Sequence, residues 1–421
     1  MKNMNFMYLM DMIDDKYIVE AKMLPKVKVV DVESNRFISF FSGVMSVAAA
    51  VIVFGAIIIW TLVGKDILSN EQGDDTSNVT TAPIITTEPD TEPDDPIIYS
   101  EGLEFALNEE NDGYKVVGIG KCRDSVINIP PTYNGMPVTE IRRFIFPIGP
   151  KIVEVNIPYG VKTIGINAFN SCTDLKKVTI PNSVTLIDED AFSHCTSLKT
   201  VDIPESVTKI GARAFSYCTS LKRITIPGSC VNTGQGAFEY CTNLKEATLN
   251  EGVEEISAFS FSHCTSLTDI EFPNSLSSID FYAFSYCESL SSITLPESVK
   301  SLGIGIFEYC TNLENAIINA KVKSFSGGHF TGCEKLESIT FGEGIEQLDS
   351  KSTYNLISLK QVFLPNSIKS ITNSNLIYRD VPEVTYNGTI AEWNAIIKGD
   401  YKPLDILVPI HCIDGTINPK T

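Results

Sequence analysis

Eight cysteines recur at a constant interval of 23 residues, and thiols at a fixed spacing could act as metal ligands or as redox pairs. A zinc site needs several ligands brought together, often as C-x-x-C pairs, whereas this repeat supplies one thiol per 23 residues and no such pair. We therefore predict no metal site and no cofactor. The eight cysteines are Cys172, Cys195, Cys218, Cys241, Cys264, Cys287, Cys310 and Cys333.

Disulfide formation is the other chemistry open to these thiols. Adjacent repeats would place the cysteine Cα atoms near the range that a disulfide tolerates, but parallel side chains that point the same way are poorly placed to bridge. Cysteine also packs as a small hydrophobic residue. We therefore expect buried free thiols. A disulfide framework in an exported domain is the alternative.

The four histidines form no catalytic pattern. His194 and His263 each precede a cysteine of the repeat, at a position where other repeats carry tyrosine. No recognisable motif places a serine or cysteine nucleophile beside a histidine. The chain also lacks a glycine-rich phosphate loop, an H-E-x-x-H sequence and a paired-carboxylate signature. The sequence therefore predicts a protein that is not an enzyme.

Each cysteine belongs to a longer repeated unit. It lies three residues after a phenylalanine and three before a leucine, as in Phe215, Cys218 and Leu221. A run with apolar residues two apart follows and usually ends in proline, which predicts a half-buried strand. A turn and then an apolar pair follow the strand, and the Phe/Cys segment is interpreted as a tight helical turn facing inward. A unit repeated at this period predicts a solenoid.

Stacking is required because a 23-residue unit cannot bury its apolar side alone. The strands of successive units should pair in parallel at a spacing of roughly 4.8 Å. Two units depart from the pattern and are expected to be irregular. One carries Thr233 and Gly234, and the other has Thr353 and Leu356 in place of the phenylalanine and the cysteine.

The consensus x-I-x-x-x-A-F-x-x-C-x-x-L-x-x-V-x-I-P resembles the BspA-like leucine-rich repeat of bacterial surface proteins. Residues 103–138 and 386–415 resemble the modules that open and close such arrays, so the likeness covers about residues 101–421. The resemblance implies a right-handed leucine-rich-repeat solenoid, with a parallel β-sheet on one face and short helical or 3-10 turns on the other. It also implies an association with adhesion and with host or community contact.

The chain before the repeats predicts how the solenoid is displayed. Residues 37–64 contain no charged side chain and are long enough to cross a bilayer as a helix. A cleaved secretory signal is the alternative, but its apolar region would be shorter. Lysine and arginine are more frequent before this segment than after it, which favours a cytoplasmic N-terminus. Residues 65–99 are rich in Thr, Pro, Asp and Glu and predict a disordered stalk.

These observations predict six segments and a location in the plasma membrane, with a single span and an extracellular C-terminal repeat domain. The net charge of −19 argues against nucleic acid as a partner. The segments are a cytoplasmic segment at 1–36, a transmembrane helix at 37–64, the stalk at 65–99, an N-terminal capping module at 100–145, leucine-rich repeats at 146–380 and a C-terminal capping module at 381–421.

Two surfaces are candidates for ligand binding. Solenoids commonly bind partners along an extended surface, which selects the outward residues of the strands, although solvent-facing polar residues are also ordinary in strands. The tyrosine and histidine column could stack on sugars or pack at an interface, or could simply cover the turns. The strand candidates are Lys177, Thr179, Thr200, Asp202, Arg223, Thr225, Glu246, Thr248, Asp269 and Glu271, and the aromatic candidates are His194, Tyr217, Tyr240, His263, Tyr286 and Tyr309.

The sequence thus favours a membrane-anchored extracellular binding protein at a bacterial cell surface, recognising a protein or a glycan. Residues 37–64 would provide its contact with the membrane. One alternative is a bitopic sensor that relays binding to the cytoplasmic segment, where residues 13–21 could form a short amphipathic helix for a partner. A structural role in the envelope is another. The sequence specifies neither the ligand nor the oligomeric state.

Overall fold

The computed structural model describes residues 97–142, 151–349, 356–371, 383–396 and 408–419. The cytoplasmic segment predicted at 1–36, the transmembrane helix predicted at 37–64 and stalk residues 65–96 lie outside the described residues. Within the described ranges, no helix is both long enough and apolar enough to cross a membrane.

The described chain opens with five strands. β1 pairs with β2 and β4 with β5 in antiparallel fashion, and β2 pairs with β5 in parallel. Asn134 and Gly135 make the two-residue turn between β4 and β5, and both have positive φ, as a tight hairpin turn requires. The strands are β1 (Glu104–Leu107), β2 (Tyr114–Gly118), β3 (Val126–Asn128), β4 (Thr132–Tyr133) and β5 (Met136–Ile141).

The repeats that follow carry the predicted strands, on a surface that we call the strand face. Buried and exposed positions alternate, as in Arg223–Ile226, because apolar residues two apart lie on one side of a strand. The strands are β6 (Glu154–Asn156), β8 (Lys177–Thr179), β11 (Arg223–Ile226), β12 (Glu246–Leu249), β14 (Asp269–Glu271), β16 (Ser292–Leu295), β18 (Asn315–Ile318), β20 (Ser338–Phe341), β22 (Gln361–Leu364) and β24 (Glu383–Tyr386).

A second column of two-residue strands lies within the same repeats. The sequence analysis assigned no strand to this segment, but its second apolar residue, such as Ile187, lies in a two-residue strand that pairs with the neighbouring repeats. The strands are β7 (Thr163–Ile164), β9 (Leu186–Ile187), β10 (Lys209–Ile210), β13 (Glu255–Ile256), β15 (Ser278–Ile279), β17 (Ser301–Leu302), β19 (Ser324–Phe325), β21 (Gln347–Leu348) and β23 (Ser370–Ile371).

The repeat period sets the register of both columns. Arg223 pairs with Glu246, and Ile256 pairs with Ile279, each 23 residues further along the chain. The irregular repeat predicted at Thr233 is present, since only an isolated bridge between Asn232 and Glu255 joins the short-strand column there. Thr353, in the other repeat expected to be irregular, lies outside the described residues.

The opposite side, which we call the turn face, is built of single turns. The segments predicted as short helical or 3-10 turns are hydrogen-bonded turns in the described repeats, with no assigned helix. Cys218 donates its N–H to the carbonyl of Phe215 (3.2 Å), but Tyr217 between them has φ 57°. A left-handed residue cannot continue a right-handed helix, so the N–H of Tyr217 instead bonds to Glu239 of the next repeat (2.8 Å).

The core runs the length of the stack between these two faces. The repeat phenylalanines from Phe169 to Phe330 are buried, and successive rings stack with centroids 5.1–5.9 Å apart. The cysteines and leucines that follow them are also buried. The inward orientation predicted for phenylalanine and cysteine is therefore confirmed.

The last described segments combine strands with a short helix. β25 continues the parallel sheet from β24, and β26 folds back against it. Thr389 and Glu392 form a reciprocal cap at the start of the helix, and Trp393 within the helix is fully buried. These elements are α1 (Ile390–Ile396), β25 (Ile410–Cys412) and β26 (Gly415–Ile417).

Candidate binding surface

The ten candidate residues of the strand face all point outward. Nine are exposed and Thr248 is half-buried. Except at Thr200 and Asp202, their backbone is held by parallel ladders and by the buried residues between them, such as Ile224, which is 2% exposed. The outward side chains therefore occupy rows at fixed positions. Whether they bind a ligand stays a prediction.

The ladder register brings residues of like position next to each other. In one row Arg223, Glu246 and Asp269 follow one another, and in the next row Thr225 and Thr248 lead to Glu271. Glu246 and Asp269 are paired residues of like charge, which does not stabilise a sheet. The strand face thus carries three carboxylates close together on β12 and β14.

The first candidate strand has polar neighbours that fix its side chains. Lys177 forms an ion pair with Glu154 on β6 (2.8 Å), and the Thr179 hydroxyl donates to the Asn156 side chain (3.1 Å). Thr200 and Asp202 lie in a repeat that has no assigned strand on the strand face, although both side chains are exposed. The strand face is therefore divided at residues 200–203.

The aromatic candidates form one continuous stack. Neighbouring rings from His194 to Tyr309 are nearly parallel, with centroids 4.2–4.7 Å apart. Each of the six residues has a φ between 57° and 60°, which points the side chains of successive turns in one direction. The repeat therefore brings all six predicted residues together on the turn face.

This stacking limits what the column can bind. A sugar that packs on an aromatic residue needs a free ring face. In the interior of the stack both ring faces lie against neighbouring rings. At one end, a Cβ built on Gly332 would lie 2.5 Å from the Cδ1 atom of Tyr309, so that ring rests on the glycine backbone. The arrangement favours the interpretation that these rings cover the turns.

Sequence reasoning missed two half-buried carboxyl groups on the turn face, Glu239 and Glu308. Burial raises the pKa of the Glu239 carboxyl to about 7, while the positive charge of Arg213 acts in the opposite direction. Burial likewise raises the pKa of Glu308. Both occupy a position where other repeats have serine, as at Ser216 and Ser262. Glutamate in place of serine at this repeat position was the sequence signal that could have identified them.

The cysteines are free thiols, all eleven of them. From Cys195 to Cys333, the thiol of each cysteine that recurs every 23 residues donates to the phenylalanine carbonyl of the preceding repeat, as Cys218 does to Phe192 (3.3 Å). Burial raises the pKa of Cys218 to about 12, which disfavours the reactive thiolate. No group of three or more His, Cys, Asp or Glu residues in the described ranges is arranged to hold a metal ion.

A cleft of about 370 Å³ opens on the strand face between β14 and β16. It is lined by backbone and side chains of both strands and of the residues that flank them. Nothing in the sequence indicates this cleft, because the apolar alternation of residues 269–272 matches that of the other repeats. The lining residues are Thr268, Asp269, Ile270, Phe272, Ser292, Ile293, Thr294 and Pro296.

Comparison with known proteins agrees with this architecture. Residues 139–268 and 254–380 match the family model described as BspA type leucine rich repeat region, with six copies. A search of curated proteins gives no match.

Three solved structures are similar. A leucine-rich repeat protein from Bacteroides ovatus is 26% identical over 70% of this chain and 86% of its own, with a TM-score of 0.49. A leucine rich cell surface protein from Faecalibacterium prausnitzii is 26% identical over 72% of this chain and 98% of its own, with a TM-score of 0.38. A leucine rich repeat protein from T. pallidum is 27% identical over 51% of this chain and 88% of its own, with a TM-score of 0.41.

Proposed function

Because the chain belongs to the BspA type leucine-rich repeat family, we propose that it is a non-catalytic binding protein displayed at a bacterial cell surface. Its strand face recognises an extracellular protein or a glycan. Leucine-rich repeat families are typically non-enzymatic binding scaffolds. In this proposal residues 37–64 anchor the protein in the membrane with the repeats outside.

One observation supports the strand face over the turn face as the recognition surface. Side chains such as Arg223, Glu246 and Asp269 project from a rigid ladder into solvent with their polar groups exposed. On the turn face, by contrast, the aromatic rings are stacked on one another. A ligand on the strand face would contact several repeats at once, as solenoid ligands commonly do.

An array of glycans and extracellular proteins, probed with the full chain, tests the proposal. We expect binding to at least one surface component. Substituting Arg223→Glu together with Glu246→Lys should weaken that binding by about tenfold or more, because reversed charges would face like charges on a ligand that complements the parent surface. A matched pair, Lys209→Glu with Glu254→Lys, alters exposed charges outside the candidate rows and should bind like the parent.

Two outcomes would contradict the proposal. One is the absence of binding to every component of the array, which would favour the structural envelope role. The other is equal loss of binding in the strand-face and control pairs. Deletion of residues 1–30 separates the sensor alternative, because ligand binding should survive this deletion, whereas any relayed signal should be lost.

A further inference from the structure

The cleft on the strand face is a break in the parallel sheet. β12 pairs with β14, and β16 pairs with β18, but β14 and β16 do not pair. Nearly all Cα–Cα distances between β14 and β16 exceed 8 Å, whereas paired strands lie about 4.8 Å apart. The strand face therefore has two facing edges in its middle.

The opening is confined to the strand face. On the turn face of the same repeats the Phe261 and Phe284 rings remain stacked at 5.4 Å, and the Cys287 thiol donates to the Phe261 carbonyl (3.3 Å). In the short-strand column, Ser278 of β15 pairs with Ser301 of β17. The repeats are therefore joined on two sides of the stack and separated on the third.

The facing edges present backbone hydrogen-bonding groups to the cleft. The N–H of Asp269 bonds toward β12, so the N–H and C=O of Ile270, the next residue, point the other way. On β16, Ser291 accepts from Asn315 of β18, so Ser292 and Thr294 point toward β14. The cleft thus carries donors and acceptors from both strands.

The floor of the cleft is apolar. Ile270 and Phe272 are half-buried, whereas their counterparts Ile224 and Ile226 are 2% and 0% exposed. Phe272 packs edge-on against Phe284 of the core at 5.9 Å. An apolar side chain that entered the cleft would bury the exposed parts of both residues.

The rim of the cleft is acidic. Asp269 and Glu271 are exposed on β14, with Glu246 adjacent on β12. The facing strand β16 contributes Ser292 and Thr294 and no basic side chain. A ligand with positive charges on its outward side would therefore complement this rim.

We propose that the cleft between β14 and β16 binds an extended peptide segment of a partner protein in which basic and apolar residues alternate. The segment inserts as an additional strand, because nearly all Cα–Cα distances across the cleft exceed 8 Å, well beyond one strand spacing, and both edges offer ladder partners. Its apolar side chains face Ile270 and Phe272, and its basic side chains face Asp269 and Glu271. The inference rests on the proposed binding function and names the chemistry of its ligand.

Amide hydrogen exchange of the full chain tests this insertion. The probe is an eight-residue peptide in which lysine alternates with valine, which places one residue type on each side of an extended strand. The Ile270, Ser292 and Thr294 amides should exchange rapidly in the free chain and about tenfold or more slowly with the peptide bound. The same peptide with every backbone amide N-methylated should not protect them, because it can donate to neither edge and its N-methyl groups block close approach.

A charge reversal with a matched control tests the rim. Glu271→Lys should weaken peptide binding by about tenfold. Asp202→Lys makes the same change in the same row three repeats away and should bind the peptide like the parent. Equal protection by the N-methylated peptide, or slow exchange of the three amides in the free chain, would overturn the insertion.

The outcome also separates this inference from the proposed function. If the chain binds an array component and these three amides stay unprotected by the peptide, the strand insertion is wrong and the binding function stands. If the peptide protects the three amides while no array component binds, the insertion stands and the broader surface role fails.

Discussion

His329 is a buried histidine whose replacement should change how stability depends on pH. It is 2% exposed, packs against Phe325 with a centroid distance of 4.4 Å, and its Nδ1 atom has no hydrogen-bond partner in the described chain. Most other repeats carry alanine at this position, as at Ala283. Burial lowers the pKa of His329 to about 4, against 6.5 for an ordinary histidine. A hydrogen bond with the Ser326 backbone acts in the opposite direction.

The direction of the change in stability with pH follows from where His329 binds a proton. Between pH 6.5 and about pH 4 the unfolded chain binds a proton at His329 that the folded chain does not. The free energy of unfolding therefore decreases as the pH falls through this window. One pKa unit corresponds to about 1.4 kcal/mol, so the full loss is about 3 kcal/mol.

Urea unfolding of the parent and of His329→Ala, followed by circular dichroism from about pH 7.5 to about pH 4, measures this loss. The variant also leaves a cavity, so the quantity of interest is how the difference between the two proteins changes with pH. The variant should lose less stability toward acid than the parent. Ile306→Ala removes a buried side chain from the same position of the preceding repeat, and its cost should not depend on pH. A parent–variant difference for His329→Ala that stays constant across this range would refute the reasoning.

Three further predictions follow from individual positions. Because the pKa of Glu239 is raised to about 7, the parent should lose stability as the pH rises from 4.5 to 7. Glu239→Ser should remove this loss in thermal denaturation. The same dependence of melting temperature on pH in the variant and the parent would contradict the prediction. Gly332→Ala should cost about 1–3 kcal/mol, since its φ is +76° and Tyr309 lies against it. Gly135→Ala, at a position with a similar φ and open space around it, should lower the free energy of unfolding by less when both variants are unfolded with urea. Equal losses would exclude contact with the Tyr309 ring as the cause. All eleven cysteines should be alkylated under denaturing, non-reducing conditions, as mass spectrometry can measure. In the folded chain the eight cysteines that recur every 23 residues should resist alkylation. Pairs of cysteines that stay unmodified after denaturation would indicate disulfides.

The repeat period made much of the fold predictable. A fixed 23-residue interval places Arg223 beside Glu246 and Phe215 beside Phe238, so register and core follow from the pattern alone. Outward positions such as Thr225 follow from alternation within each strand. These features depend on residue type and spacing, which the sequence contains.

Other features depend on backbone geometry that residue types do not specify. Tyr217 adopts a positive φ, which is uncommon for a residue other than glycine, so the sequence did not show that each turn ends after a single hydrogen bond. The short strands escaped notice because two residues, as in Ser278–Ile279, are too few to show a period. The cleft also lacked a signal, since Ile270 and Phe272 match the apolar pattern of closed repeats.

The central claim is that the strand face is the surface with which this chain recognises its ligand. Amide hydrogen exchange of the full chain, with and without a component that it binds on the array, tests this claim most directly. The account predicts slower exchange along β11, β12, β14 and β16, with the turn-face amides around Tyr240 and Tyr286 unchanged. Protection confined to the turn face would contradict it.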